Sequence, residues 1–434
     1  MKKLLINGDF INTEKNLIEK MDLLIDGEFI AGIFPRGQFS ENENAIEHID
    51  ITGKVVVPGL IDMHVHLREP GAEYKETIES GCLSGAAGGF TGVACMPNTD
   101  PANDNSYVTE FIISQARKKG IIKVYPVASI TLGRLGKSLT EFGELKKAGA
   151  VGVSDDGSPV RNSEIMRRAL EYARYHRLAV ISHCEDTELS CGGHMHEGSI
   201  SAKMGIKGIP SASEEIMIKR DISLAEFTGC PVHIAHVSTA GSVDAIRRAK
   251  EKGIPVTAET APHYFTLDHS AVEGYNTNAK MNPPLRTESD MRAIKKGLAD
   301  GVIDAIATDH APHHALVKEV EFDQAAFGII GLETALPLTL NLVREGILTL
   351  PEAVKKLSLK PASILGIEGG IIRKGAKADL SVIDPYEEFL FEKDGIFSMS
   401  KNSPFIGEPL KGRNIFTMVE GKIVWSRDSK YPCS

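Results

Sequence analysis

The sequence carries histidines and acidic residues in a pattern that suits the binding of metal ions. His64 and His66 stand two positions apart at the end of an apolar run. In an extended strand, positions i and i+2 point the same way, so both imidazoles can bind one cation. Later apolar runs end in further ligand types, which are Asp155-Asp156, His183, His236 and Asp309. The pattern predicts a metal centre if these run ends meet in space.

The middle of the chain, roughly residues 54–366, alternates short apolar runs with helical segments. The predicted strands are Val55–Val57 leading into Ile61–His66, Thr91–Met96, Val124–Ile130, Ala150–Ser154, Ala179–His183, Val232–His236, Pro255–Glu259 and Ile303–Thr308. A predicted helix over Asn162–His176 has apolar residues at helical spacing behind an asparagine cap. About eight β-then-α units favour an α/β fold of the (β/α)₈ TIM-barrel type, with a doubly wound open sheet as the alternative. In a barrel the carboxyl ends of the strands meet at one face, where the metal ligands would converge.

Both ends of the chain have the pattern of short β-strands. The turn dipeptides Asn7-Gly8 and Asp26-Gly27 follow β-favouring runs. Near the C-terminus, Asp384-Pro385 ends a similar run, and Glu420–Lys422 lies between two others. We expect one small β-sandwich-like domain built from residues 1–53 and 367–434, attached to a barrel of residues 54–366.

Composition and charge exclude several classes of protein. The 434 residues are 42% hydrophobic and 25% charged, as in globular proteins, which argues against global disorder. A net charge of −9 without a basic block argues against non-specific nucleic-acid binding. No apolar run approaches the ~18 residues of a membrane span, and the N-terminal run is too short for a signal peptide. Six cysteines without a CxxC pair favour reduced thiols, so we expect a cytoplasmic protein.

The longer motifs around these residues closely resemble those of the dihydroorotases, a family of the amidohydrolase superfamily. The motifs are His64-Val65-His66-Leu67-Arg68-Glu69-Pro70-Gly71, Met96-Pro97-Asn98-Thr99, Met281-Asn282-Pro283-Pro284-Leu285-Arg286 and Thr308-Asp309-His310-Ala311-Pro312-His313. The resemblance covers essentially the whole chain. It implies the reversible interconversion of N-carbamoyl-L-aspartate and (S)-dihydroorotate in pyrimidine (UMP) biosynthesis.

The resemblance also implies one or two Zn²⁺ ions per subunit. The implied ligands are His64, His66 and Asp309 for one ion, His183 and His236 for a second, and Asp156 as a bridge. Many amidohydrolases have a carboxylated lysine at the end of the fourth strand. This chain has Asp155-Asp156 there, so it resembles the bacterial type that uses aspartate. Strand alternation leaves both aspartates open, and only the family match assigns the bridge to Asp156.

A substrate with a free carboxylate needs fixed hydrogen-bond donors, and the planar guanidinium of Arg68 suits that role. The substrate-binding residues implied by the resemblance are His66, Arg68, Asn98, Asn282, His313, Phe327 and Gly328. The implied mechanism is attack on the ring carbonyl by a hydroxide that the metal activates, with Asp309 as the catalytic acid and base. The segment from His313 to Gly328 is either a mobile lid or an ordinary surface loop.

Other functions stay open at this point. An allantoinase or hydantoinase would share the barrel and the metal centre, although the HxHxREPG and NPPLR motifs argue against one. A non-catalytic scaffold of this fold would be expected to have lost ligands, and all the expected ones are present. His194-Met195-His196 repeats the HxH spacing in a Gly-rich loop, and we expect it not to bind metal. A homodimer and an association with aspartate transcarbamoylase, which some family members bind, are also left open.

Overall fold

The computed structural model describes residues 2–39, 46–428, 430–431 and 433. Residues 1, 40–45, 429, 432 and 434 of the predicted terminal domain lie outside the described residues. The described chain begins with the strands β1 (Lys2–Ile6), β2 (Asp9–Asn12), β3 (Leu17–Glu19), β4 (Met21–Asp26), β5 (Phe29–Pro35), β6 (Ile46–Asp50) and β7 (Val55–Pro58).

Ten strands follow in the middle of the chain. They are β8 (Leu60–Val65), β9 (Phe90–Cys95), β10 (Lys123–Ala128), β11 (Gly152–Val153), β12 (Ala179–Ser182), β13 (Met195–His196), β14 (Gly208–Ile209), β15 (Val232–Ile234), β16 (Val256–Thr260) and β17 (Ala305–Ile306). Strands β13 and β14 pair with each other, and the other eight form one parallel sheet.

Helices separate most of these strands. They are α1 (Ile78–Ala87), α2 (Ser106–Lys119), α3 (Phe142–Ala148), α4 (Ser163–His176), α5 (Thr187–Ser190), α6 (Ser199–Met204), α7 (Ala212–Thr228), α8 (Ala240–Glu251), α9 (Glu288–Ala299), α10 (Ala335–Arg344), α11 (Leu350–Lys356) and α12 (Leu359–Leu365). The predicted cap of α4 is confirmed, since Asn162 Oδ1 accepts hydrogen bonds from the backbone N–H groups of Glu164 and Ile165.

The eight-stranded sheet closes into a barrel between its first and last strands. Val65 pairs in parallel with His310, just beyond β17, and His66 N donates to His310 O at 2.9 Å. Asp62 in β8 strengthens the closure, because its buried carboxylate accepts the N–H of Thr308 at 3.2 Å. The (β/α)₈ prediction is therefore confirmed, and the doubly wound alternative is wrong.

Side chains fill the barrel interior, as in other barrels of this type. The fully or largely buried cluster inside it comprises Met63, Ala94, Met96, Val127, Val151, Ile181, Ala235, Ala305, Ala307 and Leu365. Leu365 belongs to α12, which packs against β8. A packed interior leaves the strand ends as the place for chemistry.

The last strands, β18 (Leu380–Leu390), β19 (Pro409–Val419) and β20 (Lys422–Ser426), join the N-terminal ones. One sheet has the order β5-β4-β1-β6, and the other has the order β20-β19-β18-β7-β2-β3. Leu5 and Leu23 of the first sheet share a buried cluster with Phe10 and Phe416 of the second. The two termini thus build a sandwich of two sheets, as predicted.

Strand β7 differs from the sequence-based expectation. Val55–Val57 was predicted to lead into the first barrel strand, but β7 pairs with β2 and β18 in the six-stranded sheet. Its residues are buried on both faces, and an apolar run of this kind carries no signal that distinguishes a sandwich strand from a barrel strand. No helix within the described residues is long and apolar enough to cross a lipid bilayer.

Candidate functional site

The carboxylate of Asp156 lies among four imidazoles at the C-terminal ends of the barrel strands. Its Oδ1 is 3.3 Å from His64 Nε2, 3.5 Å from His183 Nδ1 and 3.7 Å from His236 Nε2. Its Oδ2 is 3.6 Å from His66 Nε2. All five side chains are buried. Asp156 belongs to two triads whose donor atoms lie within 4.8 Å of one another, one with His64 and His66 and one with His183 and His236.

Asp309 lies beside the first of these triads. Its Oδ1 is 3.0 Å from His66 Nε2 and 3.6 Å from His64 Nε2. Burial disfavours the charged carboxylate, but the neighbouring His64 and His66 lower the pKa of Asp309 to about 2. Asp309 is therefore an anion at neutral pH and faces the same cluster as the other predicted ligands.

The site residues sit just past the strands that position them. His64 is in β8, and the others follow β8, β11, β12, β15 and β17 within a few residues. Three non-glycine residues here have left-handed backbone conformations, with φ of 60° at Arg68, 35° at His236 and 50° at Asp309. Such conformations are unfavourable for residues with a Cβ, and they concentrate at functional sites.

The structure distinguishes the two adjacent aspartates. Asp155 turns away from the histidines, because its Oδ1 accepts the backbone N–H of Thr131 at 3.0 Å and its Oδ2 accepts the Thr131 hydroxyl. Asp156 is the one that faces the imidazoles. The aspartate that the family resemblance assigns as the bridge is thus the one that lies among the histidines.

Glu259 is a buried group at the site that was not singled out from the sequence. Its Oε1 accepts a hydrogen bond from His64 Nδ1 at 2.7 Å, and its Oε2 lies 3.3 Å from His233 Nε2. Since Nδ1 of His64 is engaged by Glu259, Nε2 is the ring nitrogen that faces Asp156. His64 Nε2 is buried and has no hydrogen-bond partner in the part of the chain that the structure describes. The available signal was that Glu259 closes the predicted seventh strand, as the recognised ligands close theirs.

Glu185 is a second group that was not recognised. Its Oε2 is 3.0 Å from His183 Nε2 and accepts a hydrogen bond from Asn282 Nδ2 at 3.0 Å. Burial opposes its ionisation, but His183 lowers the pKa of Glu185 to about 2. Glu185 therefore orients His183 so that Nδ1 faces the cluster. Its position two residues after His183 was the sequence signal.

A cleft of about 260 Å³ opens above the cluster. The residues predicted to bind substrate all line it, and they are His66, Arg68, Asn98, Asn282, His313, Phe327 and Gly328. Burial lowers the pKa of Arg68 to about 10, so the guanidinium remains charged at neutral pH. Burial together with the charge of Arg68 lowers the pKa of His313 to about 2, and the neutral ring lies with Nε2 at 3.4 Å from Arg68 Nη2.

The second HxH motif lies outside both triads, as expected. His194 Nδ1 is 3.3 Å from Lys280 Nζ, and His196 Nδ1 is 3.3 Å from Arg286 Nη1. Both rings therefore face cations, which is unfavourable for metal binding.

Dihydroorotases and hydantoinases are among the known proteins with similar sequences and structures. A family model described as dihydro-orotase-like matches residues 53–242. The dihydroorotase of Geobacter metallireducens is 54% identical over 427 residues, which cover 98% of this chain and 100% of the relative. The dihydroorotase of Pelobacter propionicus is 52% identical with the same coverage. The L-hydantoinase (dihydropyrimidinase) from Arthrobacter aurescens superimposes with a TM-score of 0.88 at 25% identity, covering 98% of this chain and 96% of the other.

A (β/α)₈ barrel with imidazoles and carboxylates gathered at its strand ends is the architecture of a metal-dependent amidohydrolase. Likeness in fold extends to hydantoinases, but the identities above 50% over nearly the full chain are with dihydroorotases. The chain belongs to the dihydroorotase family.

Proposed function

We propose that the protein is a dihydroorotase, which interconverts N-carbamoyl-L-aspartate and (S)-dihydroorotate in pyrimidine (UMP) biosynthesis. The observation that carries the proposal is the placement of Arg68 in the same small cleft as the Asp156 cluster. A charged guanidinium beside a hydrolytic centre suits a cyclic amide that bears its own carboxylate. Dihydroorotate has this carboxylate, whereas hydantoin and dihydrouracil lack it.

The metal centre is proposed to hold Zn²⁺. Imidazole and carboxylate donors suit this ion, and the unpartnered Nε2 of buried His64 fits a coordinating role. The proposed ligands are His64, His66 and Asp309 for one ion, His183 and His236 for a second, and Asp156 between them. Asp156 faces both pairs of histidines, so the proposal is one or two zinc ions per subunit.

Metal at these ligands would polarise the ring carbonyl and lower the pKa of water to near neutrality. The chain's own residues supply the rest of the chemistry. Asp309, an anion at neutral pH, takes the proton of the attacking water at its carboxylate. It returns that proton to the ring nitrogen as the amide bond breaks, and ring closure follows the same path in reverse.

Substrate binding is proposed to divide between two sides of the cleft. Arg68, Asn98 and His313 hold the carboxylate, and the side chain of Asn98 is itself fixed by His66, with Nδ1 of the ring 2.7 Å from Asn98 Oδ1. Asn282 and the main chain of Phe327 and Gly328 face the ring amide. This arrangement places the ring carbonyl toward Asp156 and the metal ligands.

The domain boundaries, the cellular location and the partners are also proposals. Residues 1–53 and 367–434 would form one domain and residues 54–366 the barrel, with β7 joining the terminal sheets from just inside that boundary. A cytoplasmic location, a homodimer and an association with aspartate transcarbamoylase are further proposals that follow from the family.

A hydantoinase is the second candidate function, and the superposition on the L-hydantoinase favours it. A substrate panel distinguishes the two. Protein of measured zinc content is assayed with dihydroorotate, hydantoin, dihydrouracil and allantoin under the same conditions. We expect kcat/KM for dihydroorotate to exceed the others by at least about 10³-fold, since the others leave Arg68 and its neighbours unpaired. Faster turnover of any of the other three would replace the proposal.

A further inference from the structure

Two buried lysines lie behind the wall of the cleft that Phe327 and Gly328 form. Lys280 and Lys318 are each only 2% exposed. Among the described residues neither ammonium group forms an ion pair with a carboxylate. Both groups instead bind main-chain carbonyl oxygens, which is an unusual use of a buried lysine.

Lys318 holds the segment on both sides of Phe327. Its Nζ donates to the carbonyl oxygens of Ala326 at 2.9 Å, Gly328 at 3.1 Å and Lys280 at 3.3 Å. These three acceptors use the three N–H donors of one ammonium group. The Gly328 carbonyl also accepts Asn402 Nδ2 at 3.0 Å, so both of its lone pairs are engaged.

Lys280 holds the same segment from the other side. Its backbone carbonyl accepts the N–H of Gly328 at 3.0 Å. Its Nζ donates to the carbonyl oxygens of Phe322 at 2.7 Å and Asp323 at 3.1 Å, and lies 4.5 Å from the ring centroid of Phe327. The lysine therefore binds the main chain that leads into the wall as well as the aromatic ring in it.

The wall has little freedom to shift. Gly328 has φ of 126°, and a Cβ there would lie 2.6 Å from Ala311 Cβ, so the main chain passes very close to the segment after β17. The N–H groups of Ala326 and Gly328 are used within the protein, as donors to Val317 O and Lys280 O. The N–H of Phe327, between them, has no hydrogen-bond partner among the described residues. Of the main-chain N–H groups of residues 326–328, it is therefore the one left for a ligand in the cleft.

We propose that Lys280 and Lys318 are positioning residues that fix the main chain on either side of Phe327, so that the Phe327 N–H lies at bonding distance from a carbonyl oxygen of the substrate's ring amide. The inference rests on the proposed function, because it assumes a cyclic amide in the cleft. It assigns the two lysines a role in substrate affinity, while the metal ligands and Asp309 retain the chemistry.

The test compares Lys318→Met and Lys280→Met with a matched control, Lys356→Met. Lys356 is also buried and also donates to a main-chain carbonyl, Ile303 O, at 2.7 Å. It lies at the end of α11, next to the segment that leads into β17 and away from the cleft. Methionine keeps the length of the apolar stem and removes the ammonium group.

We expect both cleft variants to raise KM for dihydroorotate at least fivefold relative to Lys356→Met, with kcat within threefold of the wild type. A rise in KM at constant kcat reports lost binding, which a general loss of stability would not produce. A smaller rise in KM, an equal rise in Lys356→Met, or a loss confined to kcat would overturn the inference.

Lys318→Arg provides a second variant at position 318 in case the methionine variant does not fold. Its planar guanidinium keeps the charge but cannot direct three donors from one atom, so the same rise in KM is expected. Wild-type protein that fails to turn over dihydroorotate would refute the proposed function. Active wild type with variants that match the control would refute only the role of the lysines.

Discussion

His64 presents its Nε2 to Asp156 because Glu259 accepts a hydrogen bond from its Nδ1, at 2.7 Å. Both side chains are buried, and within the described residues His64 Nε2 forms no hydrogen bond, with Asp156 Oδ1 3.3 Å away. The contact fixes the ring orientation and increases the basicity of the imidazole. One carboxylate inside the barrel thus decides which nitrogen of His64, a proposed metal ligand, is available.

The Glu259→Gln variant should bind zinc about 10–100-fold more weakly, as is typical when the hydrogen-bond partner of a ligand is changed. The reason is that a neutral amide no longer favours the Nδ1–H form of His64. Zinc affinity is measured by competition with a chelator. Glu333→Gln is the control, because Glu333 is a half-buried carboxylate that accepts the N–H of Ser398 at 3.0 Å, outside the cluster. Equal zinc affinity in both variants would show that Glu259 does not orient the ligand.

The two adjacent aspartates make a matched pair of variants. Asp156→Asn should lose most of its bound zinc, since Asp156 contacts all four imidazoles. Asp155→Asn should keep its zinc and lose only the contact with Thr131. Metal analysis of the purified proteins gives the answer. The opposite pattern would reverse the assignment.

Replacement of Asp309 by asparagine should lower kcat by about 10²–10⁴-fold, the usual contribution of a general acid–base group. Asparagine is nearly the same size and cannot accept the proton from water. Circular dichroism should show an unchanged fold, and residual zinc is measured alongside kcat to separate proton transfer from metal loss. Near-normal kcat in zinc-loaded variant would remove Asp309 from the reaction.

Arg68→Lys should raise KM for dihydroorotate by about tenfold or more. The ammonium group keeps the charge but cannot form the paired, planar contact with a carboxylate that the guanidinium can form. Steady-state kinetics with dihydroorotate measures the effect. An unchanged KM would mean that the substrate carboxylate binds elsewhere in the cleft.

The burial of Lys356 should make the free energy of unfolding depend on pH. Burial lowers its pKa from 10.5 to about 8, despite the opposing effect of Asp304. Between pH 8 and 10 the Lys356 side chain is therefore protonated in the unfolded chain and largely deprotonated in the folded one. The free energy of unfolding consequently rises with pH in this range. The free energy of unfolding of the wild type minus that of Lys356→Met should increase from pH 7 to pH 10. Urea denaturation at fixed metal content measures this difference. A difference that stays constant or falls would contradict the shift.

The barrel and the gathering of the proposed ligands at one face could be predicted because each of these residues closes or follows an apolar strand in the sequence. Strand ends meet at one face of a parallel barrel, so spacing along the chain becomes proximity in space. The strand limits were less accurate. The run Ile303–Thr308 was predicted as one strand, whereas β17 covers only Ala305–Ile306. Beyond it the chain bends at Asp309, whose left-handed φ has no local sequence signal.

The supporting contacts could not be predicted because they join residues far apart in the chain. Glu259 and His64 are separated by 195 positions, and neither their distance nor the tautomer of His64 follows from local pattern. The same holds for Lys318. A lysine in a loop is expected to be exposed, but Lys318 is buried against main-chain carbonyls. Such contacts depend on the complete fold.

Dihydroorotate hydrolysis by protein of known zinc content tests the central claim most directly. The chain is stripped of metal with a chelator, reconstituted with increasing Zn²⁺, and assayed in both directions of the reaction. We expect activity to be lost on stripping and to return in proportion to bound zinc. Fully zinc-loaded, folded protein that neither opens dihydroorotate nor closes N-carbamoyl-L-aspartate would contradict it.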